Sequence, residues 1–200
     1  MIKQAGDILT SHKIKEIALK YFAEKGYDAT SLTDIAGVIG IKKPSIYAHY
    51  TSKMDLFLAI VEDAKQDYRH CWQQALHKTN HLPADQHLFA LFTMVSQHFI
   101  SDSVKLAFWV RLLMFPPVDC PTNMLESFGK LNGEFIHEIT NIFEQGMAEG
   151  ILRQAVPAEL AHAYFCLLDG YLMRGICYHK FNYKQSLPEI WQCFLTGIKS

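Results

Sequence analysis

Lys42, Lys43 and Lys53 crowd into the segment 41–53, which contains no acidic residue. Closely spaced ammonium groups with no carboxylate beside them suit the phosphates of a polyanion, because contact releases condensed counterions. Two hydroxyl groups of different reach, Ser45 and Tyr47, lie between these lysines, and Thr33 precedes them. Ser45 and Thr33 are small donors able to approach a groove closely. Tyr47 offers its hydroxyl to a phosphate and its ring to a sugar or a thymine methyl. Ser52 and Lys53 head a helical pattern, where free backbone N–H groups also accept a phosphate.

Short helices must position these groups. Ile14, Ile17, Ala18, Tyr21 and Phe22 follow the spacing of one helical face, and Gly26 stands where a C-cap belongs. Ser31 with Asp34 is a capping pair that opens a second helix striped by Leu32, Ile35, Ala36 and Ile39, which Gly40 breaks. Pro44 sits near the first turn of a third helix, over 44–50, where its missing N–H is harmless. Ile41, Ile46 and Tyr50 are expected to point inward and hold that helix. Ser52 and Asp55 repeat the capping signal and open a fourth helix running to about residue 78. Two short helices joined by a glycine turn fit a helix-turn-helix, whose second helix reads the major groove.

The segment "ALKYFAEKGYDATSLTDIAGVIGIKKPSIYAHYTSKMDLF" carries a longer pattern. Within residues 11–60 it resembles the N-terminal DNA-binding domain of the TetR family of bacterial transcriptional regulators. Ala18, Phe22, Gly26, Tyr27, Thr30, Ser31, Leu32, Ile35, Ala36, Gly40, Pro44, Ser45, Ile46, Tyr47, His49, Tyr50, Lys53 and Leu56 match the family's pattern in order and without gaps. The resemblance implies DNA contacts at Thr33, Lys42, Lys43, Pro44, Ser45, Tyr47, His49 and Lys53; for His49 a packing role is the alternative. Two positions depart from the pattern. Lys42 replaces a more usual serine at the cap of the third helix, which removes an acceptor and adds a charge. Tyr50 replaces a more usual phenylalanine, and its hydroxyl needs a partner if buried.

The remainder of the chain also reads as helical. Helices are expected at about 85–100, 104–115, 122–148, from Pro157 to about 178, and from Ser186 and Pro188 to about 198. The fold class is therefore all-α, with about nine helices: an N-terminal three-helix helix-turn-helix domain, 1–56, and a C-terminal helical ligand-sensing and dimerisation domain, 57–200. The boundary falls inside the fourth helix. The middle helices are rich in large apolar side chains interrupted by His98 and Arg111, the composition of a small-molecule pocket and equally of an aromatic core. The resemblance implies that a pocket exists in this region. The candidate ligand-binding residues are Phe89, Phe92, His98, Trp109, Arg111, Tyr171 and Arg174, for an apolar or aromatic effector. Trp109 and Tyr171 would be walls, and Arg111 or Arg174 would pair with an anionic group; ion pairs with Asp169 or Glu138 are the alternative for the two arginines.

One reading helix makes few base contacts, and helix-turn-helix proteins commonly dimerise over two half-sites about 34 Å apart. The resemblance implies a homodimer through the helices at about 158–178 and 188–198. The first of these places Ala161, Leu168, Leu172 and Ile176 near one face and Tyr164, Phe165 and Tyr171 elsewhere, and a helix apolar all round is buried on both sides. A central helix in a monomeric bundle is the other reading.

Bulk properties agree with local rather than general charge. The chain has 200 residues and a formal net charge of −1, with 1–56 slightly basic and the rest slightly acidic, so the whole protein is no generic polyanion binder. Five cysteines, no C-x-x-C, no secretory signal and no long apolar run point to a reduced cytoplasm. No Ser–His–Asp ordering, phosphate-cradling glycine loop or H-E-x-x-H occurs, so no enzyme and no cofactor is expected. His77 with His81, and His162 with Cys166, have metal-compatible spacing; the first pair reaches into a loop, the second lies in the expected dimer helix, and no metal is expected. The expected function is a ligand-responsive transcriptional regulator, with repression the expected sign. As a homodimer it would bind a (pseudo)palindromic double-stranded DNA operator and be released by a small-molecule effector, with no membrane partner. A helical ligand carrier or scaffold without DNA binding, and an activator of the same fold, remain open.

Overall fold

A computed structural model describes residues 2–178 and 181–200, with side chains from Leu9 onward. Among these the secondary structure is helical: α1 (Ile2–Lys25), α2 (Leu32–Ile39), α3 (Lys43–Tyr47), α4 (Lys53–Thr79), α5 (Ala84–Ile100), α6 (Ser103–Met114), α7 (Thr122–Ala148), α8 (Pro157–Cys177) and α9 (Tyr183–Ile198). A single antiparallel bridge, Leu152 to Lys199, ties the segment after α7 to the end of the chain.

The helix starts follow from their caps. Ser31 Oγ accepts from Asp34 N at 3.1 Å, and Ser52 Oγ accepts from Asp55 N at 3.0 Å. Asp102 takes the N–H groups of Val104 and Lys105 at the head of α6. Two boundaries differ from the sequence expectation. The third helix ends at Tyr47, not at residue 50: His49 N makes a tighter i→i−3 bond to Ile46 O at 2.9 Å, and Thr51 N already donates forward to the Asp55 carboxylate. The last helix begins at Tyr183, with Pro188 inside it. Asn182 caps that start by accepting from Gln185 N, and Pro188 lies past the first turn, where it removes the bond to Lys184 O and crowds that carbonyl.

The chain forms two compact units, and they are not contiguous in sequence. The first comprises Met1–Asp67 with Asp102–Thr122; the second comprises Tyr68–Ser101 with Asn123–Ser200. The division falls inside α4, and α6 belongs to the unit that contains the helix-turn-helix, although it lies beyond the 1–56 span expected for that domain.

In the first unit α6 packs on α1, α1 on α2 and α2 on α3. Ile14, Ala18, Phe22, Ile35, Ile46, Leu56, Phe57 and Phe108 form its core, with Phe57 between Phe22 at 5.2 Å and Phe108 at 5.9 Å.

The second unit is aromatic. Trp72 stacks on Phe135 at 4.9 Å and meets Phe165 at 5.6 Å. Phe92 meets Tyr164, Tyr171 and Trp191 at 5.5–5.8 Å. Two buried tyrosine hydroxyls here have partners: Tyr164 donates to Leu88 O, and Tyr171 donates to Tyr183 O at 2.7 Å. Gly175 lets the Tyr183 ring reach the α8 backbone; a Cβ there would lie 1.2 Å from the Tyr183 hydroxyl oxygen.

Candidate nucleic-acid interface

α2 and α3 are joined by a tight turn that only a glycine makes without strain. Gly40 has φ +80° and closes α2 by donating to Ala36 O at 3.0 Å, and Ile41 N donates to the same carbonyl. That reversal aims α3. Ile46 is fully buried under α3 and Tyr50 is buried just after it; Ile41 is half-buried. The Tyr50 hydroxyl lies 2.8 Å from Ser11 Oγ, so the polar atom that this residue brings into the core is satisfied by α1.

The other side of the motif faces solvent. Thr33, Lys42, Lys43 and Pro44 are exposed, Ser45 and His49 are half-buried, and Tyr47 is 49% exposed. Lys43 Nζ lies 5.8 Å from the Tyr47 ring centroid, within cation–π reach. Seven of the eight sequence-selected residues thus lie on or beside α2 and α3, none of them buried. His49 packs beside Tyr50, its ring tilted at a centroid distance of 6.4 Å.

Lys53 differs from the sequence reading. Its ammonium donates to Tyr27 O at 2.8 Å, Thr30 O at 3.0 Å and Asp28 O at 3.5 Å, and it lies 4.1 Å from the Tyr27 ring centroid. Three N–H groups directed at three carbonyls make this lysine a clamp on the α1–α2 connection, which sequence alone could not distinguish from an outward phosphate ligand. Thr30 supports the same turn, donating to Gly26 O at 2.7 Å.

The candidate ligand residues do not form one group. Phe89, Phe92 and Tyr171 come together around Trp191 in the second unit. Tyr164 and Trp191 complete that cluster; Trp191 is the one that sequence reasoning passes over, although its i, i+3 spacing with Phe194 is a signal. His98 packs edge-on against Phe99. Arg174 is exposed, with its guanidinium 4.9 Å from the Tyr178 ring and 5.3 Å from the Phe181 ring, not paired with Asp169 or Glu138.

Trp109 and Arg111 lie in the first unit. Trp109 lines a cleft of about 350 Å³ among α1, the first part of α4 and α6, bridged by the Lys15–Asp63 and Lys105–Asp67 ion pairs. Arg111 donates from Nε to Ala23 O at 2.7 Å and from Nη2 to Glu24 O at 2.9 Å. Its partners are carbonyls at the end of α1, which it caps, and it also lines a cavity of about 330 Å³ with Phe22, Tyr27 and Phe115. Among the described residues no three His, Cys, Asp or Glu side chains converge as a metal site, and no helix is long and apolar enough to cross a membrane.

On α8, Ala161, Leu168 and Leu172 are buried in the second unit together with Tyr164, Phe165 and Tyr171. The face left to solvent carries His162, Ala163, Cys166 and Gly170, and on α9 Cys193, Thr196 and Gly197.

Comparison with known proteins follows this geometry. Residues 14–60 match the family model of bacterial regulatory proteins, tetR family. The biofilm operon icaADBC HTH-type negative transcriptional regulator IcaR of Staphylococcus epidermidis is 45% identical over 51 residues, which cover 26% of this chain and 28% of that protein. IcaR of Staphylococcus aureus strain Newman is 49% identical over 45 residues, covering 22% and 24%. The chain thus spans about a quarter of the length of the curated relatives it matches. Two solved structures share the whole fold at low identity. A putative transcriptional regulator from Saccharomonospora viridis in complex with choline has a TM-score of 0.78 at 16% identity, over 96% of this chain and 98% of that one. The TetR family transcriptional regulator PfmR from Thermus thermophilus has a TM-score of 0.74 at 19% identity, over 92% and 97%.

Proposed function

We propose, from the premise that this chain belongs to the tetR family of bacterial regulatory proteins, that it is a ligand-responsive transcriptional regulator reading double-stranded DNA with α2 and α3. The observation that carries this reading is the two-sidedness of the motif. Ile46 and Tyr50 anchor it, while Lys42, Lys43 and Tyr47 stand exposed with no acid in the segment 41–53. Lys42 and Lys43 neutralise phosphates; Thr33, Pro44, Ser45 and Tyr47 approach the groove, with His49 at its margin. Lys53 acts one step back, by holding the turn before α2. In this reading residues 1–56 carry the DNA-binding domain and 57–200 carry effector binding and dimerisation, with α6 reaching back to pack in the reader's own unit.

The regulator works as a homodimer on a (pseudo)palindromic operator. The small side chains outside α8 and α9, Ala163, Cys166, Gly170 and Gly197, allow two copies to bring these helices close together. Repression is the sign favoured by the IcaR relatives, which are negative regulators. The effector is apolar or aromatic, supported by the cluster of Phe89, Phe92, Tyr171 and Trp191 in the second unit. Its action is a coupling between two sites: a switch from 1:99 to 99:1 requires about 5.5 kcal/mol of differential affinity. A protein with this task works in the cytoplasm, where its DNA is.

A mobility-shift assay on the DNA flanking the protein's own gene, with and without apolar ligands, tests the proposal. Wild type shifts a specific fragment; Tyr47→Ala shifts it weakly while sedimenting as the same oligomer. Equal binding by the two proteins would place the reading face elsewhere.

A further inference from the structure

We infer that Arg111 of α6 is a positioning residue for DNA reading: it fixes the end of α1, and with it the turn from which α2 and α3 depart. The inference rests on the reading of α2–α3 as the DNA-contacting motif, and reaches a residue that touches no DNA in that reading.

Two cations from different helices hold the segment 23–30. Arg111 takes the carbonyls of Ala23 and Glu24 at 2.7 and 2.9 Å. Lys53, at the head of α4, takes those of Tyr27, Asp28 and Thr30. The last carbonyls of a helix lack intrahelical partners and carry its negative dipole end, so a guanidinium there is favoured by both hydrogen bonding and charge. Arg111 also lies close to the turn itself: a Cβ on Gly26, which has φ +83°, would be 3.4 Å from its Nη1. The planar guanidinium presents its two donors in a fixed fork that matches this pair of adjacent carbonyls.

The chain path gives this contact its consequence. α6 belongs to the first unit, yet the chain before it, to Ser101, and the chain after it, from Asn123, belong to the second. α6 is thus part of the reader's own unit, although its neighbours in sequence are not. Phe108 seats it against Phe57, fully buried, and Arg111 is the group on it that grips α1 backbone.

The test compares Arg111→Met and Arg111→Lys with wild type in two assays. The first is hydrogen exchange without DNA. Amides between residues 27 and 41 exchange faster in Arg111→Met, and to a lesser extent in Arg111→Lys, which keeps the charge but lacks the guanidinium's fixed fork. The second is DNA affinity as a function of salt. Arg111→Met weakens binding about ten-fold, the size of losing one good base contact, with an unchanged slope of log K against log salt, because no phosphate contact is lost. Wild-type exchange in that segment overturns the inference, and so does a slope shallower by about 0.9, which would make Arg111 a phosphate ligand. If Arg111→Met does not fold, the exchange of Arg111→Lys decides in the same way. A wild-type protein that binds no DNA would remove the proposed function, while the exchange assay would still decide whether Arg111 holds the turn.

Discussion

Lys42 ends in solvent at the start of α3, whereas Lys53 directs its ammonium at three backbone carbonyls. The same side chain therefore does different work at two ends of one short segment, and the difference is measurable. Lys42→Met should make log K against log salt shallower by about 0.9, the share of one phosphate, with the unfolding midpoint in urea unchanged. Lys53→Met should leave that slope alone and lower stability by about 1.5–3 kcal/mol, the range for hydrogen bonds to a charged group. A slope change in Lys53→Met as large as in Lys42→Met would return Lys53 to the DNA-contacting set. Sequence places both lysines on the motif, but the partners of Lys53 lie more than twenty positions away in the chain, and no local pattern encodes them. Arg111 is the stronger case: its partners lie on α1, and an arginine amid aromatics reads equally well as a ligand anchor.

At the level of elements, signals that close within a few residues are legible. Ser31 with Asp34 and Ser52 with Asp55 are cap pairs because the bond closes within three residues, and Gly40 marks a left-handed turn that its own backbone makes. Competition between local signals is harder to read. Pro188 reads as a helix start, but Asn182 offers an earlier cap and the proline is tolerated inside. α6 looks like part of the sensing half because it follows α5 in sequence; only packing assigns it to the reader's unit. The turn before α3 provides the prediction at this scale. Gly40→Ala leaves the added methyl in open space, so any loss comes from holding alanine at φ +80°, about 1–2 kcal/mol. Urea unfolding measures that loss; an unchanged midpoint would mean that the turn relaxes to another backbone conformation. Because the turn aims α3, operator affinity should fall with it, whereas the oligomeric state should not.

For the whole molecule the proposed dimer turns on which surface would join two copies. The sequence directs attention to α8 and α9, but hydropathy marks the side of α8 that its own chain covers: Leu168 and Leu172 are apolar, and both are spent inside the second unit. The outer side is nearly silent to hydropathy, since its signal is small size, in Ala163, Cys166 and Gly170, and small residues matter at an interface for how closely they let backbones approach. Gly170 separates the two sides cleanly. It is exposed, and a Cβ added there meets nothing within 4 Å in its own chain. Replacing glycine in a helix with a residue of higher helix propensity should, if anything, favour the folded monomer. Gly170→Arg is therefore expected to keep the circular dichroism spectrum and unfolding midpoint of a folded chain, while two facing arginines block close approach of the paired helices. Sedimentation should give a monomer at concentrations where wild type is a dimer, and operator affinity should fall about 10³-fold, toward the level of non-specific binding, because one reading helix alone cannot span two half-sites. A Gly170→Arg protein that sediments as the wild-type dimer would move the two-fold axis to another surface, and with it the spacing at which the two α3 helices meet DNA.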